Sequence, residues 1–400
     1  MMKKTIIASC LLGGACVGAQ AQSSVTLYGV VDNGLSWQNS ATSLGSTTGG
    51  QSLVKMTSGV WAGSRFGLKG SEDLGSGIKA IFTLEAGINS ANGTSQFTGG
   101  LFTRQSWVGL TDARFGTLTA GRQYTAYYTT LAPWSPTTWL TGYFGAHPGD
   151  IDSLDNIYRA NNSLVYQSPT IGGLTFGASY ALGGVPGSVN AGSTWTAGLQ
   201  YANGPFGIGA AFERVNNSTP GGGAWGASST TSNGGAEPAV SAINNGYQTA
   251  QAQQRFAVTG GYRFSDVWDL SASYSNVQYI PGTGSAFRDT AIFNSAGAVL
   301  HFRPSTSWDF ASGYSYTRAT LANGISNAAQ YHQFTLSQYY SLSKRTGLYA
   351  VESGQRASGN TLSSNDKVII ATPSLGDGFS STPSSSRSQI AVGVGVVHHF

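Results

Sequence analysis

Two sets of charged residues are the strongest candidates for chemistry in this sequence. The acidic set is Asp150, Asp152 and Asp155, which lie close together in one segment. The basic set is spread along the chain and consists of Arg65, Lys69, Arg104, Arg122 and Arg159. Fixed charges around a narrow, wet passage can replace part of the hydration of an ion or polar solute without holding it. Whether these residues could act on ions or polar solutes in this way depends on a fold that brings them together.

Familiar catalytic motifs are missing from the sequence. It contains no Gly-x-Ser-x-Gly, no His-Glu-x-x-His and no Gly-x-x-x-x-Gly-Lys. A Gly-x-Gly-x-x-Gly spelling at 221–226 follows Pro220 in a low-complexity stretch, without the strand and helix that dinucleotide binding requires. His398 and His399 are neighbours on a predicted strand, so they point to opposite faces and cannot easily share a metal. We expect no enzyme, no metal and no cofactor; a barrel hydrolase with a Ser-His-acid set near one rim stays open as an alternative.

The composition is unlike that of a typical soluble protein or of a disordered one, and it is compatible with a transmembrane barrel. Of the 400 residues, 10% are charged, 40% hydrophobic and 12% aromatic. A typical soluble protein has about 25% charged residues, and a disordered one lacks aromatic residues. The net charge of +4 is too small to indicate nucleic-acid binding. The mean hydropathy of −0.09 also suits a transmembrane barrel, because apolar and polar residues alternate there.

The first residues are typical of a secretory signal. Two lysines precede an uncharged, largely apolar run at 6–19, and the Ala-Gln-Ala sequence ending at Ala21 is a small-residue cleavage site. The run of about 14 residues is shorter than the roughly 20 that span a bilayer, and the residues before Cys10 and Cys16 do not fit a lipoprotein signal. We predict a signal peptide at 1–21 and one mature domain at 22–400, which has no cysteine and so no disulfide or thiolate chemistry.

Apolar and polar residues alternate along most of the mature sequence. In the segment 174–182, Leu, Phe, Ala, Tyr and Leu alternate with Thr, Gly, Ser and Ala. The same period of two recurs at 195–201, 206–212, 256–264, 308–316 and 390–400. This spacing is typical of strands with one apolar face. No apolar run of helix-spanning length follows residue 21, so a membrane-spanning form of this chain would be a closed barrel.

The connections between these segments separate a barrel from a soluble sandwich. Short and long connections alternate along the chain. The short turns lie at 74–77, 112–116, 203–205 and 265–267, and the long Gly-, Ser- and Asn-rich loops lie at 38–59, 123–157, 216–251 and 357–386. Outer-membrane barrels show this asymmetry of short periplasmic turns and long extracellular loops. We predict an all-β fold, a sixteen-stranded antiparallel transmembrane barrel from near Val25 to Phe400; eighteen strands stay arithmetically open. The pattern is least regular at 101–122, where a subunit contact would explain polar residues on the outward side.

Several segments resemble the Gram-negative general porins of the beta-proteobacterial type. They are Ser24–Gly29, Ser64–Gly75, Lys79–Glu85, Arg104–Leu110, Gly121–Tyr124 and Gly395–Phe400. The resemblance covers essentially the whole mature chain. It implies a homotrimer in the outer membrane, surrounded by its lipids, whose third loop folds into each lumen as a constriction. It also implies passage of small hydrophilic solutes and ions, no nucleic-acid partner, and Phe400 as the insertion signal for the outer-membrane assembly machinery.

The resemblance also assigns the charged residues. The candidate third loop runs from Tyr124 to about Ile157 and carries the acidic set. Arg65, Arg104 and Arg159 match positions where general porins place a basic ladder opposite that loop, with Lys69 and Arg122 as further candidates. An arginine facing lipid at mid-depth costs roughly 2–4 kcal/mol, which also favours the lumen. The alternative is that these arginines only solvate the interior or pair with nearby carboxylates.

The ion preference follows from two departures from the porin pattern. Relatives often carry an acid just after the Gly-Arg-Gln-Tyr stretch, where this chain has Thr125 and Ala126, and the segment from Phe144 to Asp150 ends in a single acid. The loop therefore supplies fewer negative charges, and we predict passive diffusion with a weak anion preference. The alternative is a solute-specific channel with an aromatic track for sugars, although most aromatic residues fall on the outward side of the strands.

Overall fold

The computed structural model describes residues 23–97, 99–138, 142–155, 158–226, 230, 240–377 and 382–400. The predicted signal peptide and Ile157, the predicted end of the third loop, lie outside the described residues. Sixteen long strands are found in the described part: β1 (Ser24–Ala41), β2 in two segments (Gln51–Ser58 and Arg65–Gly75), β3 (Ile78–Asn89), β4 (Gln105–Asp112), β5 (Gly116–Gln123), β6 (Ala160–Gln167), β7 (Leu174–Ala181), β8 (Thr194–Asn203), β9 (Phe206–Asn216), β10 (Ala252–Arg263), β11 (Trp268–Ile280), β12 (Ala291–Phe302), β13 (Trp308–Ala319), β14 (Gln330–Ser341), β15 (Thr346–Ser358) and β16 (Ser388–His399).

The remaining elements are short and lie in the connections. Helix α1 spans Ala126–Leu131. Single turns of 3-10 helix lie at Ala132–Trp134, Pro136–Thr138, Tyr143–Gly145, Pro148–Asp150 and Asn245–Tyr247, and two- or three-residue strands at Thr94–Ser95, Asn360–Leu362 and Val368–Ile370. Among the described residues, every helix is too short or too polar to cross a membrane.

The sheet closes into a barrel. Each strand is antiparallel to its neighbours along the chain, and β16 pairs back onto β1 from Val30↔His399 to Gln38↔Ala391. The predicted sixteen-stranded antiparallel barrel is confirmed, and the eighteen-stranded alternative is wrong for the described residues. Because neighbouring strands run in opposite directions, the short turns all lie at one end of the barrel and the longer loops at the other.

Side chains sort to the two faces of the wall as the alternation predicts. In β7, Leu174 and Phe176 are 45% and 44% exposed on the outer face, whereas Thr175 and Ser179 are only 6% and 8% exposed on the inner face. The same sorting holds along β10, where Phe256 is exposed and Ala257 is buried. The inner residues are this buried because loops pack against them from inside the barrel.

The first loop differs from the prediction. The chain expected as a long loop at 38–59 is largely a hairpin, because β1 continues to Ala41 and pairs with Gln51–Ser58. Its Ser-, Thr- and Gly-rich sequence hides the alternation, since these residues suit loops as well as strands. β2 then breaks at 59–64, where the chain turns into the barrel. Asp32 holds this turn, because its Oδ2 accepts hydrogen bonds from the backbone N–H of Trp61 (2.6 Å) and Ala62 (2.7 Å).

The described residues of the third loop (124–138, 142–155 and 158–159) run through the barrel interior. Helix α1 lies on the inner faces of β7, β8 and β9, where Gly177, Gly198 and Gly209 allow the close approach of Thr130. The loop then crosses to the opposite wall, where the Tyr143 N–H donates to the carbonyl of Val60 at 3.0 Å.

Two further loops also fold inward, which the sequence analysis did not anticipate. The described parts of the fifth loop (217–226, 230 and 240–251) and of the eighth loop (359–377 and 382–387) meet the third loop in a buried apolar cluster, here called the internal core. Its loop members include Ile151, Ile243, Tyr247, Leu362 and Ala371, and its wall members include Val277, Tyr279, Phe293 and Tyr331. The Gly149 N–H donates to the carbonyl of Ser374 at 3.2 Å, which joins the third loop to the eighth.

Candidate functional site

A cavity of about 670 Å³ lies between the third loop and the wall, and three of the five predicted basic residues line it. Arg65, Arg104 and Arg159 line it together with Lys55, which the sequence analysis missed. The carboxylates that line it are Asp155 of the third loop and Asp377 of the eighth loop. Four cationic side chains therefore border the cavity against two acidic ones.

Glu85 on β3 partly compensates this positive charge. Its Oε1 accepts a hydrogen bond from Arg104 Nε at 2.8 Å, and its Oε2 lies 3.6 Å from Arg65 Nε. The Tyr28 hydroxyl donates to the same Oε2 at 3.0 Å. The sequence analysis quoted Glu85 only within a motif; its position on the polar side of β3, beside the inward-facing Thr83, was the signal that it faces inward. The alternative that the arginines pair with carboxylates thus applies to Arg65 and Arg104.

Arg104 and Arg159 converge on one phenol. The Nη2 atoms of both guanidinium groups donate to the Oη of Tyr124 at 2.9 Å. The Arg159 guanidinium also lies over the Tyr124 ring, 4.6 Å from its centroid. Each arginine directly precedes a wall strand, Arg104 before β4 and Arg159 before β6. Tyr124 directly follows the end of β5. Three adjacent strand ends therefore place these side chains at one level.

The structure brings only one member of the acidic set to the cavity. Asp155 lines it, whereas Asp150 and Asp152 are completely buried and do not. Asp152 accepts hydrogen bonds from His147 Nδ1 and Ser275 Oγ, both at 2.6 Å, so it fixes the loop to β11. Asp150 Oδ1 accepts the Asp155 N–H at 3.0 Å. The expectation that all three acids face the passage needs this correction, because two of them stabilise the loop's own fold.

The Asp155 carboxyl holds its proton more strongly than an ordinary aspartate. Burial raises its pKa well above the usual value, Asp150 and Asp377 add to the rise, and Arg159 opposes it. The loop consequently contributes less negative charge to the cavity than its composition suggests.

The two remaining basic candidates lie away from the cavity lining. Lys69 faces the interior from β2, with Nζ 5.3 Å from the centroid of the Tyr28 ring. Arg122 pairs with Ser106 on the outward side of the wall, in line with the exposed Leu118. Its Nε donates to the carbonyl of Thr103 at 2.7 Å. Its assignment to the inner ladder is therefore corrected: the strand alternation itself turns this side chain outward.

A buried ion pair fixes the start of the third loop. Glu213 on β9 and Arg255 on β10 are fully buried, and Arg255 Nη1 donates to Glu213 Oε1 at 3.0 Å. The Thr125 hydroxyl donates to the other oxygen of Glu213 at 2.7 Å. Arg255 Nη2 donates to Gln253 Oε1 at 3.0 Å. This set of contacts joins the residue that precedes α1 to the wall.

A serine, a histidine and an aspartate also meet beneath the third loop. Ser273 Oγ lies 3.3 Å from His147 Nε2, and His147 Nδ1 lies 2.6 Å from Asp152 Oδ2. This order of contacts can activate a serine for attack when a substrate reaches it. All three residues are buried, and the void beside His147 is about 10 Å³, close to the minimum for one water molecule. The set therefore anchors the loop, and Gly297 on β12 leaves room for the imidazole.

The chain end closes the wall. Phe400 and Gly29 exchange two backbone hydrogen bonds, at 3.0 and 3.1 Å, and the Phe400 ring covers Gly29 on the outer face. Within the described residues, no group of three histidine, aspartate or glutamate side chains is placed to hold a metal ion.

Known proteins are similar to this chain in sequence and in fold. A family model described as Gram-negative porin matches residues 8–361. An outer membrane porin protein of Bordetella pertussis is 35% identical over 238 residues, and outer membrane porin protein 32 of Delftia acidovorans is 35% identical over 184 residues. These alignments cover 54% and 45% of this chain but only 60% and 50% of the two relatives. The solved anion-selective porin from Comamonas acidovorans superposes with a TM-score of 0.69 at 25% identity, covering 95% of this chain and 100% of that one.

Proposed function

This chain belongs to the Gram-negative porin family, and we propose that it forms a water-filled channel for passive diffusion of small hydrophilic solutes and ions, with a weak preference for anions. It is an outer-membrane β-barrel protein. The observation that carries the ion preference is the cavity bordered by Arg65, Arg104 and Arg159, opposite a loop of which only Asp155 contributes a carboxylate. The anion-selective porin among its structural relatives supports the same sign of preference.

A planar-bilayer recording tests this proposal directly. The purified protein should insert with stepwise current increments and, in a KCl gradient, give a reversal potential of the sign that chloride sets. A chain that passes no current would contradict the channel, and a clear potassium preference would contradict the assigned selectivity.

The inner aromatic residues favour general diffusion over a sugar track. Trp61 stacks on Tyr339 and Tyr349, with ring centroids 5.0 and 5.6 Å away. These two tyrosines are partners on β14 and β15. The indole thus packs the 59–64 turn against the wall. A saturable flux of one sugar would instead support the solute-specific alternative.

The anion preference should fall as the pH rises through the elevated pKa of Asp155. Below that pKa the carboxyl is protonated and neutral, so the arginines act uncompensated; above it, the carboxylate offsets part of their charge. Reversal potentials across a pH series measure this change. Asp155→Asn should remove this pH dependence, and a variant that keeps it unchanged would contradict the role of Asp155.

We propose a homotrimer, supported by two outward charges that a lipid surface would disfavour. Arg122 lies on the outer face of β5, and Glu352 lies on the outer face of β15, where Gln338 donates to it at 3.1 Å. Each lies six residues beyond the periplasmic start of its strand, Gly116 or Thr346. The two residues flank the arc formed by β16 and β1 to β4. In a ring of three copies, one flank of a subunit meets the other flank of the next, so an arginine would face a glutamate.

Charge exchange tests this subunit contact. Glu352→Arg and Arg122→Glu should each weaken the trimer, because like charges then face each other across the contact, at a cost of about 2–5 kcal/mol. The combination in one chain should restore it. Unheated gel mobility and mass measurement in detergent report the oligomer. Trimers unaffected by either single exchange, or not restored by the combination, would contradict the pairing.

The remaining expectations concern export and chemistry. We propose cleavage after Ala21, recognition of Phe400 by the outer-membrane assembly machinery, and no enzymatic activity. The closed setting of Ser273, His147 and Asp152 supports the last point, and turnover of lipid or peptide by the purified protein would contradict it.

A further inference from the structure

Tyr124 binds two cationic side chains at once. Its Oη accepts hydrogen bonds from Arg104 and Arg159, and the guanidinium of Arg159 also covers its ring. Like-charged guanidinium groups repel each other, so a shared acceptor is needed to hold them side by side. Neither the third-loop acids nor Glu85 does this for both arginines, because Glu85 contacts Arg104 and Arg65.

The groups facing Tyr124 come from the wall, from α1 and from the end of the third loop. From the wall, Glu85 on β3 reaches it through Arg104, and Arg65 and Tyr28 lie on the far side of Glu85. From α1, the ring of Tyr128 lies 5.0 Å away, centroid to centroid. Across the same cavity are the remaining charged groups, Lys55, Asp155 and Asp377. The balance directly around the phenol oxygen is therefore positive.

This balance decides how the phenol titrates. Burial alone would raise the pKa of Tyr124, but Arg104 and Arg159 oppose it and outweigh the smaller effect of Glu85, so the pKa is lowered from the ordinary value of a phenol. Tyr128, on the other side of the ring, shifts the opposite way: burial first, and Tyr124 and Asp155 next, raise its pKa. Of the two neighbouring phenols, Tyr124 is the one that loses its proton first.

We propose that Tyr124 is a specificity-determining residue of this channel. As a neutral phenol it holds Arg104 and Arg159 together as one site for passing oxyanions or chloride. As a phenolate it places a negative charge between them, and the anion preference falls. The proposal rests on the proposed channel function and assigns its selectivity to a residue that the charged ladder does not include.

The test compares Tyr124→Phe with its parent in a background that removes two of the other titratable groups of the cavity. That background carries Asp155→Asn and Lys55→Gln, neither of which contacts the Tyr124 hydroxyl. Reversal potentials are measured as the pH is raised from neutral toward the ordinary pKa of a phenol, because a phenol of lowered pKa ionises before that point. With Tyr124 present, the ratio of chloride to potassium permeability should fall by about twofold or more toward alkaline pH. With phenylalanine it should stay flat.

Tyr128→Phe is the matched control, since Tyr128 lines the same cavity without bonding either arginine. It should keep the alkaline decline. A merely structural role of Tyr124 would shift the ratio equally at every pH, and a decline that persists in Tyr124→Phe would overturn the proposal. Ultraviolet difference titration gives a second readout: one tyrosinate should form ahead of the others and be lost only with Tyr124. Absence of current in every variant would instead contradict the channel function itself.

Discussion

Replacing Arg65, Arg104 and Arg159 together by glutamine should turn an anion-preferring channel into a cation-preferring one. Of the cationic groups that border the cavity, only Lys55 would remain, against Asp155, Asp377 and the neighbouring Glu85. A unit charge about 6 Å from a passing ion in water changes its energy by roughly 0.7 kcal/mol, or about threefold in occupancy. Because salt screens part of this effect, we expect the three changes together to alter the chloride to potassium permeability ratio by about tenfold.

The reversal potential in a KCl gradient measures this change, and the chain offers a matched control. Arg214, Arg318 and Arg356 lie on the outer face of β9, β13 and β15. Their replacement by glutamine removes the same net charge from the protein but none from the cavity. We expect the control to keep the original potential. Equal shifts in both triple variants would mean that overall charge, and not the cavity, sets the selectivity.

Replacing Glu213 alone by glutamine should destabilise the folded barrel by about 3–5 kcal/mol, the cost of leaving a buried charge without its partner. Arg255 is fully buried, and Glu213 is its only carboxylate partner among the described residues. The change also weakens the bond to Thr125, so the entry of the third loop loosens. We expect a lower unfolding temperature, which the heat-dependent shift in gel mobility measures. We also expect a noisier single-channel current.

The double variant Glu213→Gln with Arg255→Met distinguishes the effect of the unpaired charge on stability from the effect of altered packing. It removes both charges and keeps similar volumes, so most of the lost stability should return. Thr125→Val, which deletes one hydrogen bond, should cost only about 1 kcal/mol. If Glu213→Gln unfolds at the same temperature as the wild type, the pair does not hold the loop.

The barrel was predictable because strand alternation and turn length are local properties. Whether Leu174 faces outward depends on its neighbours in the same strand, and the sequence of a short turn needs no distant partner. For Arg122, strand alternation was a better guide than the family resemblance. The resemblance suggested that Arg122 belongs to the inner ladder, whereas its spacing of four residues from Leu118 predicts the outer face.

The interior of the site was less predictable because it depends on distant contacts. Asp150, Asp152 and Asp155 are alike in sequence, and only contacts such as that of Asp152 with Ser275, 123 residues away, decide which of them reaches the cavity. The inward fold of the fifth and eighth loops depends on the same kind of packing. Apolar residues such as Ile243 and Leu362, set among Gly, Ser and Asn, were the signal that these loops bury part of their length.

The internal core separates the parts of the loops that shape the current from the parts that face the surroundings. Exposed tips, such as 184–190 in the fourth loop, lie outside that core, and foreign peptides inserted at tips of this kind are generally tolerated. A short epitope or affinity tag spliced there should appear at the cell surface while the electrical behaviour stays that of the parent. This architecture therefore suits the chain as a scaffold for sensing or display.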